Sequence, residues 1–350
     1  MDPLTIRLNT TFLRSRVPNL TVAAKNAGLR PATVSNLCTG KIPLGRAEIR
    51  TIVLLAKLAN CSVDDLIIIE DYSKKIETGI KTIDLFAPLV LNSTVGLIAR
   101  PDMGQLALLA EVFHRLKNNS FKTITLTPKQ EDPGLKDLLH ESDYIAAGFE
   151  EIAVLLSDEW KNKNILLVVD RAHVISGELG DFNQNLQLKE VLSLTTFLMD
   201  LSGEAPDEDL PFGPLDTIWQ FDAELVAQKY YPAIHPLFSI SESYPLDKKQ
   251  NRLQQDARKT LRRYRELRAL YAIRGYEKMS KKEKNDFTRG QKLEAYLTQP
   301  FFIAEPYTGQ KGCFVKIVAL FNDINKILTE DLAELEASSL LYKGDLDTVV

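Results

Sequence analysis

Two short apolar runs constrain the fold of this 350-residue chain more than any other feature: VGLIA (95–99) and ILLVVD (165–170). A strand with apolar side chains in consecutive positions has both faces buried, which is the signature of a parallel strand covered by helices on either side. The stretches around 104–117 and 145–160 read as helices, so strands and helices alternate as in a parallel-sheet α/β domain. The flanks have a different texture. Residues 8–70 read as short helices separated by tight turns. Asn19 or Thr21 caps one, Gly28 ends it, Pro31 opens the next, where its missing N–H would have no partner anyway, and Gly40 ends that. Ile49, Ile52, Val53, Leu55, Ala56 and Leu58 then recur at helical spacing. Residues 71–80 are a polar link, and a long charged helix is expected over 248–273. The expectation is a multidomain protein: an all-α head (1–72), an α/β parallel-sheet core (73–246) and an α-helical C-terminal domain (247–350).

Charge is divided unevenly. Residues 1–60 hold nine Lys or Arg against Asp2 and Glu48, a net of +7, and the remaining residues hold 34 cations against 45 acids, a net of −11. A basic head on an acidic body suits a head that meets a polyanion while the body does not. Cys38, Cys61 and Cys313 are odd in number and far apart, with no CxxC, so reduced thiols in a cytoplasmic setting are expected rather than a disulfide frame or zinc site. His114, His140, His173 and His235 are scattered, and no metal is expected. No apolar run reaches the roughly 18 residues of a membrane span.

The segment AAKNAGLRPATVSNLCTGK (23–41) resembles the helix-turn-helix of the Cro/repressor (XRE-like) type. Ala24 stands four before the turn residue Gly28, and Val34 and Leu37 form the buried ladder of the second helix. LAKLANCSVDDLI (55–67) is similar to that family's closing helix. VPNL before the turn departs from the family's polar pattern and implies a short first helix. The resemblance implies that the second helix enters the major groove of double-stranded DNA. Arg30, Ala32, Thr33 and Asn36 would then face base edges, with Lys41 and Arg46 on the phosphates. The competing reading is a basic helical module that binds protein.

A second resemblance covers roughly 78–345. TGIKTIDLFAP (78–88), LDTIWQFDAELVAQKYYPAIHPLFSISES (215–243), QPFFIAEPYTGQKGCFV (299–315) and SLLYKGDLDTVV (339–350) are similar, in order, to blocks of the rotary ATP synthase beta subunit, which implies a RecA-like core. Its departures are chemical. Where the family has the phosphate loop GGAGVGKT, this chain has Ala99, Arg100, Pro101, Asp102, Met103, Gly104, Gln105 and Leu106. Such a loop works through consecutive backbone N–H groups, a Lys and a metal-binding hydroxyl. Pro101 has no N–H, Asp102 is an anion, Gln105 stands for the Lys, and Leu106 cannot ligate magnesium.

The family's catalytic Glu falls on Thr127-Pro128-Lys129-Gln130, and Glu131 recovers it only by shifting the alignment. Asp170 stands at the family's magnesium-directed Asp, either as a residual metal carboxylate or as a strand-end remnant. Tyr231 and Tyr307 stand where the family stacks aromatic rings on adenine. They either keep a weak adenine-nucleotide site or fill the core. The family's N-terminal barrel is replaced by the basic head, and its acidic DELSEED loop reads EKMSKKEK (277–284) here.

These readings imply a catalytically inactive protein without a cofactor. The favoured expectation is a transcriptional regulator that binds double-stranded DNA and uses a homo-oligomerising or ligand-sensing body. The alternative is a pseudo-subunit that binds ATP synthase subunits to regulate or assemble them. A DNA-dependent ATPase is the weakest reading.

Overall fold

The computed structural model describes residues 4–38, 42, 44, 47–71, 75–117, 121–130, 132–185, 193–241, 246–329 and 335–348. The chain divides into two compact units, Met1–Lys74 and Lys75–Val350.

In the first unit, β1 (Leu4–Leu8) precedes α1 (Thr10–Arg16), α2 (Leu20–Asn26), α3 (Pro31–Cys38), α4 (Ile49–Ala59), α5 (Val63–Leu66) and β2 (Ile67–Asp71). Pro31 opens α3 as expected. Gly28 ends α2 at φ +78°, a left-handed conformation that costs glycine nothing. Ala24, Val34, Leu37, Ile52, Leu55 and Leu66 share one buried cluster. The helix before Gly28 is short, seven residues. The all-α expectation is corrected. β1 and β2 pair antiparallel, Leu4 opposite Asp71 through Leu8 opposite Ile67, because consecutive β-branched Ile67, Ile68 and Ile69 favour extended backbone over another helical turn. The Gly40 helix stop lies outside the described residues.

In the second unit a small hairpin, β3 (Lys75–Ile76) with β4 (Leu89–Val90), encloses α6 (Lys81–Phe86). The core then runs β5 (Thr94–Ile98), α7 (Gln105–Lys117), β6 (Phe121–Leu126), α8 (Leu135–Glu141), β7 (Tyr144–Ala146), α9 (Phe149–Ser157), β8 (Asn164–Asp170), α10 (Arg171–Ile175), α11 (Glu178–Asn185), β9 (Ser193–Met199), β10 (Thr217–Gln220), α12 (Ala223–Ala227) and β11 (Ile240–Ser241). Seven strands form one sheet in the order β11-β10-β5-β9-β8-β6-β7, parallel except for the antiparallel edge strand β11. The apolar runs explain the layers. In β8, Leu166 and Val168 join Leu108, Val112 and Phe113 of α7 on one face, while Ile165, Leu167 and Val169 join Ile152 and Leu156 of α9 on the other. The stretch 145–160 begins as strand rather than helix, since β7 pairs with β6 before α9 starts.

α13 (Lys248–Arg274), α14 (Lys281–Leu297), α15 (Glu305–Thr308) and α16 (Ile317–Thr329) follow. Capping boxes open the two longest, Asp247 with Gln250 and Ser280 with Glu283. Gly290 lets α14 approach α13: a Cβ there would stand 2.2 Å from Tyr264 Cβ. The expected boundary at 246–247 falls inside this unit, where Leu253, Leu261, Leu293 and Leu320 share a core with Leu85 and Phe86 of α6.

Candidate functional site

The loop 99–104 joins β5 to α7 at the carboxyl end of a central strand, where open parallel sheets place their ligands. Its own side chains occupy its donors. The Arg100 N–H points at Met103 Sδ (3.2 Å), and the Met103 N–H donates to Gln105 Oε1 (3.1 Å). Pro101 has no N–H. Gln105, at the position of the family's Lys, is buried and turns back into the loop instead of reaching outward. Asp102 holds φ +63° and lines the adjoining cavity, so the loop itself places an anion there.

The segment after β9 closes on this loop. A Cβ on Gly203 would meet Pro101 Cδ at 2.5 Å, so the two backbones lie against one another. Arg100 pairs with Asp207 at 2.8 Å. Arg171 holds Glu204 at 2.9 Å and Glu208 at 2.5 Å, and its Nε donates to the Pro211 carbonyl. Asp200 accepts from the Ser202 and Ala205 amides, which folds the segment back.

Asp170, at the end of β8, accepts from the Leu201 N–H at 3.3 Å. Burial raises its pKa, and the backbone N–H groups of Leu201, Ala172 and Arg171 oppose that rise. Its oxygen is committed to a loop. Among the described residues, no group of three or more His, Cys, Asp or Glu side chains is placed to hold a metal ion. Where the family keeps its catalytic Glu, Lys129 pairs with Glu178 at 2.8 Å, and His173 Nδ1 meets the same carboxylate. Hydrogen bonds from Lys129 first, then His173, pull Glu178 down to about 2. Glu131 lies outside the described residues.

Beside the loop is a cavity of about 530 Å³. Gly104, Leu108, Phe221, Tyr231, Pro232 and Phe301 give it apolar walls, and Gln299, Gln310 and Thr308 add polar groups. Tyr231 lies 3.4 Å from where a Gly104 Cβ would stand, and its N–H donates to Tyr342 Oη at 3.2 Å. Tyr307 is elsewhere: it is 78% exposed and lines a separate cleft with His114, His140 and Phe302. The two tyrosines are therefore not brought together, and Tyr307 neither fills the core nor faces Tyr231. Among the described lining residues Lys229 is the one cation, and Asp102 opposes it.

In the first unit, Arg30 and Ala32 are exposed at the start of α3, and Thr33 and Asn36 are half-buried on it. Lys41 and Arg46 lie outside the described residues.

No protein-family model matches the sequence. Among solved structures, the chain is similar to an ATP synthase subunit, NeqB, of Nanoarcheaum equitans, with a TM-score of 0.58 at 16% identity over 73% of this chain and 76% of that one. Over that span the two chains share a fold. No helix among the described residues is long and apolar enough to cross a membrane.

Tyr342, Phe221, Phe301 and Gln299 line the cavity without having been singled out by sequence. The blocks 215–243, 299–315 and 339–350 contain all four, but each aligned block shows where its residues fall along the chain and not which side chains converge. Gln299 illustrates this. It accepts from the Lys81 N–H and donates to the Gly79 and Cys313 carbonyls, and so ties the blocks 78–88 and 299–315 together.

Proposed function

We propose that this chain is a non-hydrolysing relative of ATP synthase subunits that works by binding, with its Lys75–Val350 unit docking on ATP synthase components to regulate or assemble them. One observation carries the reading: a body with the fold of an ATP synthase subunit has a phosphate loop whose donors are taken by Met103 and Gln105. Hydrolysis needs donors and charge aimed at the phosphates. Docking needs only a surface. The fold likeness carries this alternative further than the DNA-binding reading that the sequence places first. The cavity at Tyr231 would hold an adenine base or nucleoside weakly, as an effector rather than a substrate.

The test is sedimentation of the purified full-length protein with purified ATP synthase subunits of its source organism. A defined complex that forms without nucleotide supports the proposal. Separate boundaries at tens of micromolar for every subunit sink it.

A second reading keeps the DNA-binding regulator, with the body as its oligomerisation or sensing platform. It rests on the placement of Arg30 and Ala32, exposed at the start of α3 in a head of net charge +7. Two α3 copies on paired half-sites would raise affinity through effective concentration. Selection of duplexes from a random pool tests it. A recovered motif with salt-sensitive affinity, lost in Arg30→Ala and Asn36→Ala, supports it, and retention without sequence preference refutes it.

A further inference from the structure

One cleft in the Lys75–Val350 unit has no part in the functions above. It has a volume of about 620 Å³ and lies among α13, α14 and α16. Lys249, Arg252, Lys259 and Arg263 line it from α13, and Lys282 and Arg289 face them from α14. Asp256 and Asp286 are the acids of the lining. Arg252 stands 3.8 Å from Asp256, and Arg263 pairs with Glu266 and Glu283. Lys249, Lys259, Lys282 and Arg289 have no carboxylate partner among the described residues. Six cations around one cavity, against Asp256 and Asp286 among the described lining residues, repel each other, in a unit whose overall balance is acidic.

We propose that this cleft binds a small, multiply charged phosphate anion. Three features select that ligand class. The volume falls within the range of small-molecule sites, about 300–1,000 Å³. Among the described lining residues the apolar side chains are Leu253 and Leu328, against six cations, so charge is the stronger signal of what binds. No aromatic ring lines the cleft among the described residues, so a nucleobase has nothing to stack on and the anionic groups are what is recognised. The guanidinium forks of Arg252 and Arg289 suit paired phosphate oxygens, and the lysines add point charges. Asn325, Thr260 and Thr329 supply neutral polar groups at the edge. Three helices would be bridged by one ligand, so binding would stiffen the helical layer.

The experiment is calorimetric titration of the full-length protein with sodium tripolyphosphate at a constant ionic strength of about 0.15 M, where unspecific attraction between exposed charges is screened. One saturable site is expected. Lys259→Gln and Arg289→Gln, both substitutions of hydrophilic side chains, should each weaken it about tenfold, and together about a hundredfold. Unchanged thermal unfolding of the double variant would show that the loss is not misfolding. No saturable binding overturns the proposal, as does affinity that survives both substitutions or is lost in Gln105→Ala instead. Tighter binding of a glutamate decapeptide than of tripolyphosphate also overturns it and assigns the cleft to an acidic protein segment.

Discussion

Replacing Gln105 by Ala tests whether the loop after β5 is held shut by its own side chains. The carboxamide is 5% exposed and accepts the Met103 N–H at 3.1 Å. The hydrogen bond itself contributes about 0.5–1.5 kcal/mol net, and leaving a buried N–H unpaired costs about 1–3 kcal/mol. Loss of one buried methylene adds about 0.8 kcal/mol. Partial rescue by water would keep the total near 2–3 kcal/mol. Gln105→Glu retains an acceptor oxygen and should lose less. Urea unfolding followed by far-UV circular dichroism gives the free-energy change, which should appear as a lower midpoint at an unchanged slope. Hydrogen exchange at the Met103 amide should accelerate in the Ala variant only. A loss below about 0.5 kcal/mol with unaltered exchange at Met103 would refute the self-capped loop.

Three further predictions concern the frame around the site. Glu111 is fully buried, accepts Arg115 Nε at 2.7 Å, and takes the Phe302 and Ile303 amides at 3.0 Å each. Glu111→Gln strands the Arg115 charge and should destabilise the unit by about 3–5 kcal/mol, read by urea unfolding. Gly290→Ala places a methyl into Tyr264 and should cost about 1–3 kcal/mol, with near-UV dichroism showing the displaced ring. Burial, followed by the neighbouring Arg265 charge, holds the His235 imidazole down to about 4. The unfolded chain takes up this proton near 6.5 while the native state stays neutral. Stability should therefore fall as pH drops from about 6.5 to 4, and His235→Gln should flatten that fall in urea midpoints measured across the window.

The parts of the fold legible in the sequence are those set by local chemistry. β5 and β8 are apolar on both faces, which only a sheet covered on both sides tolerates, and α13 follows from the charged helical run over 248–273. β7 was hidden because Tyr144, Ile145 and Ala146 lead directly into a helical pattern, and three residues carry too little period to separate the two. β1 and β2 were hidden because their pairing spans the whole head. At the site, the sequence shows Pro101, which has no N–H, and Gln105 directly. The inward turn of Gln105, the Gly203 contact with Pro101 and the separation of Tyr307 from Tyr231 depend on residues brought together from distant positions. Spacing along the chain does not encode such meetings.

The decisive measurement compares adenosine with ATP in the presence of magnesium, titrated into the full-length protein by calorimetry, with phosphate release followed in parallel. With three of the loop's amide positions out of use and Asp102 at the cavity, ATP should bind at the cavity beside Tyr231 no more tightly than adenosine, and no phosphate should be released above the protein-free control. The account would be contradicted by magnesium-dependent ATP binding there about a hundredfold tighter than adenosine, a gain of about 2.7 kcal/mol from the phosphates, and equally by turnover that disappears in Asp170→Asn.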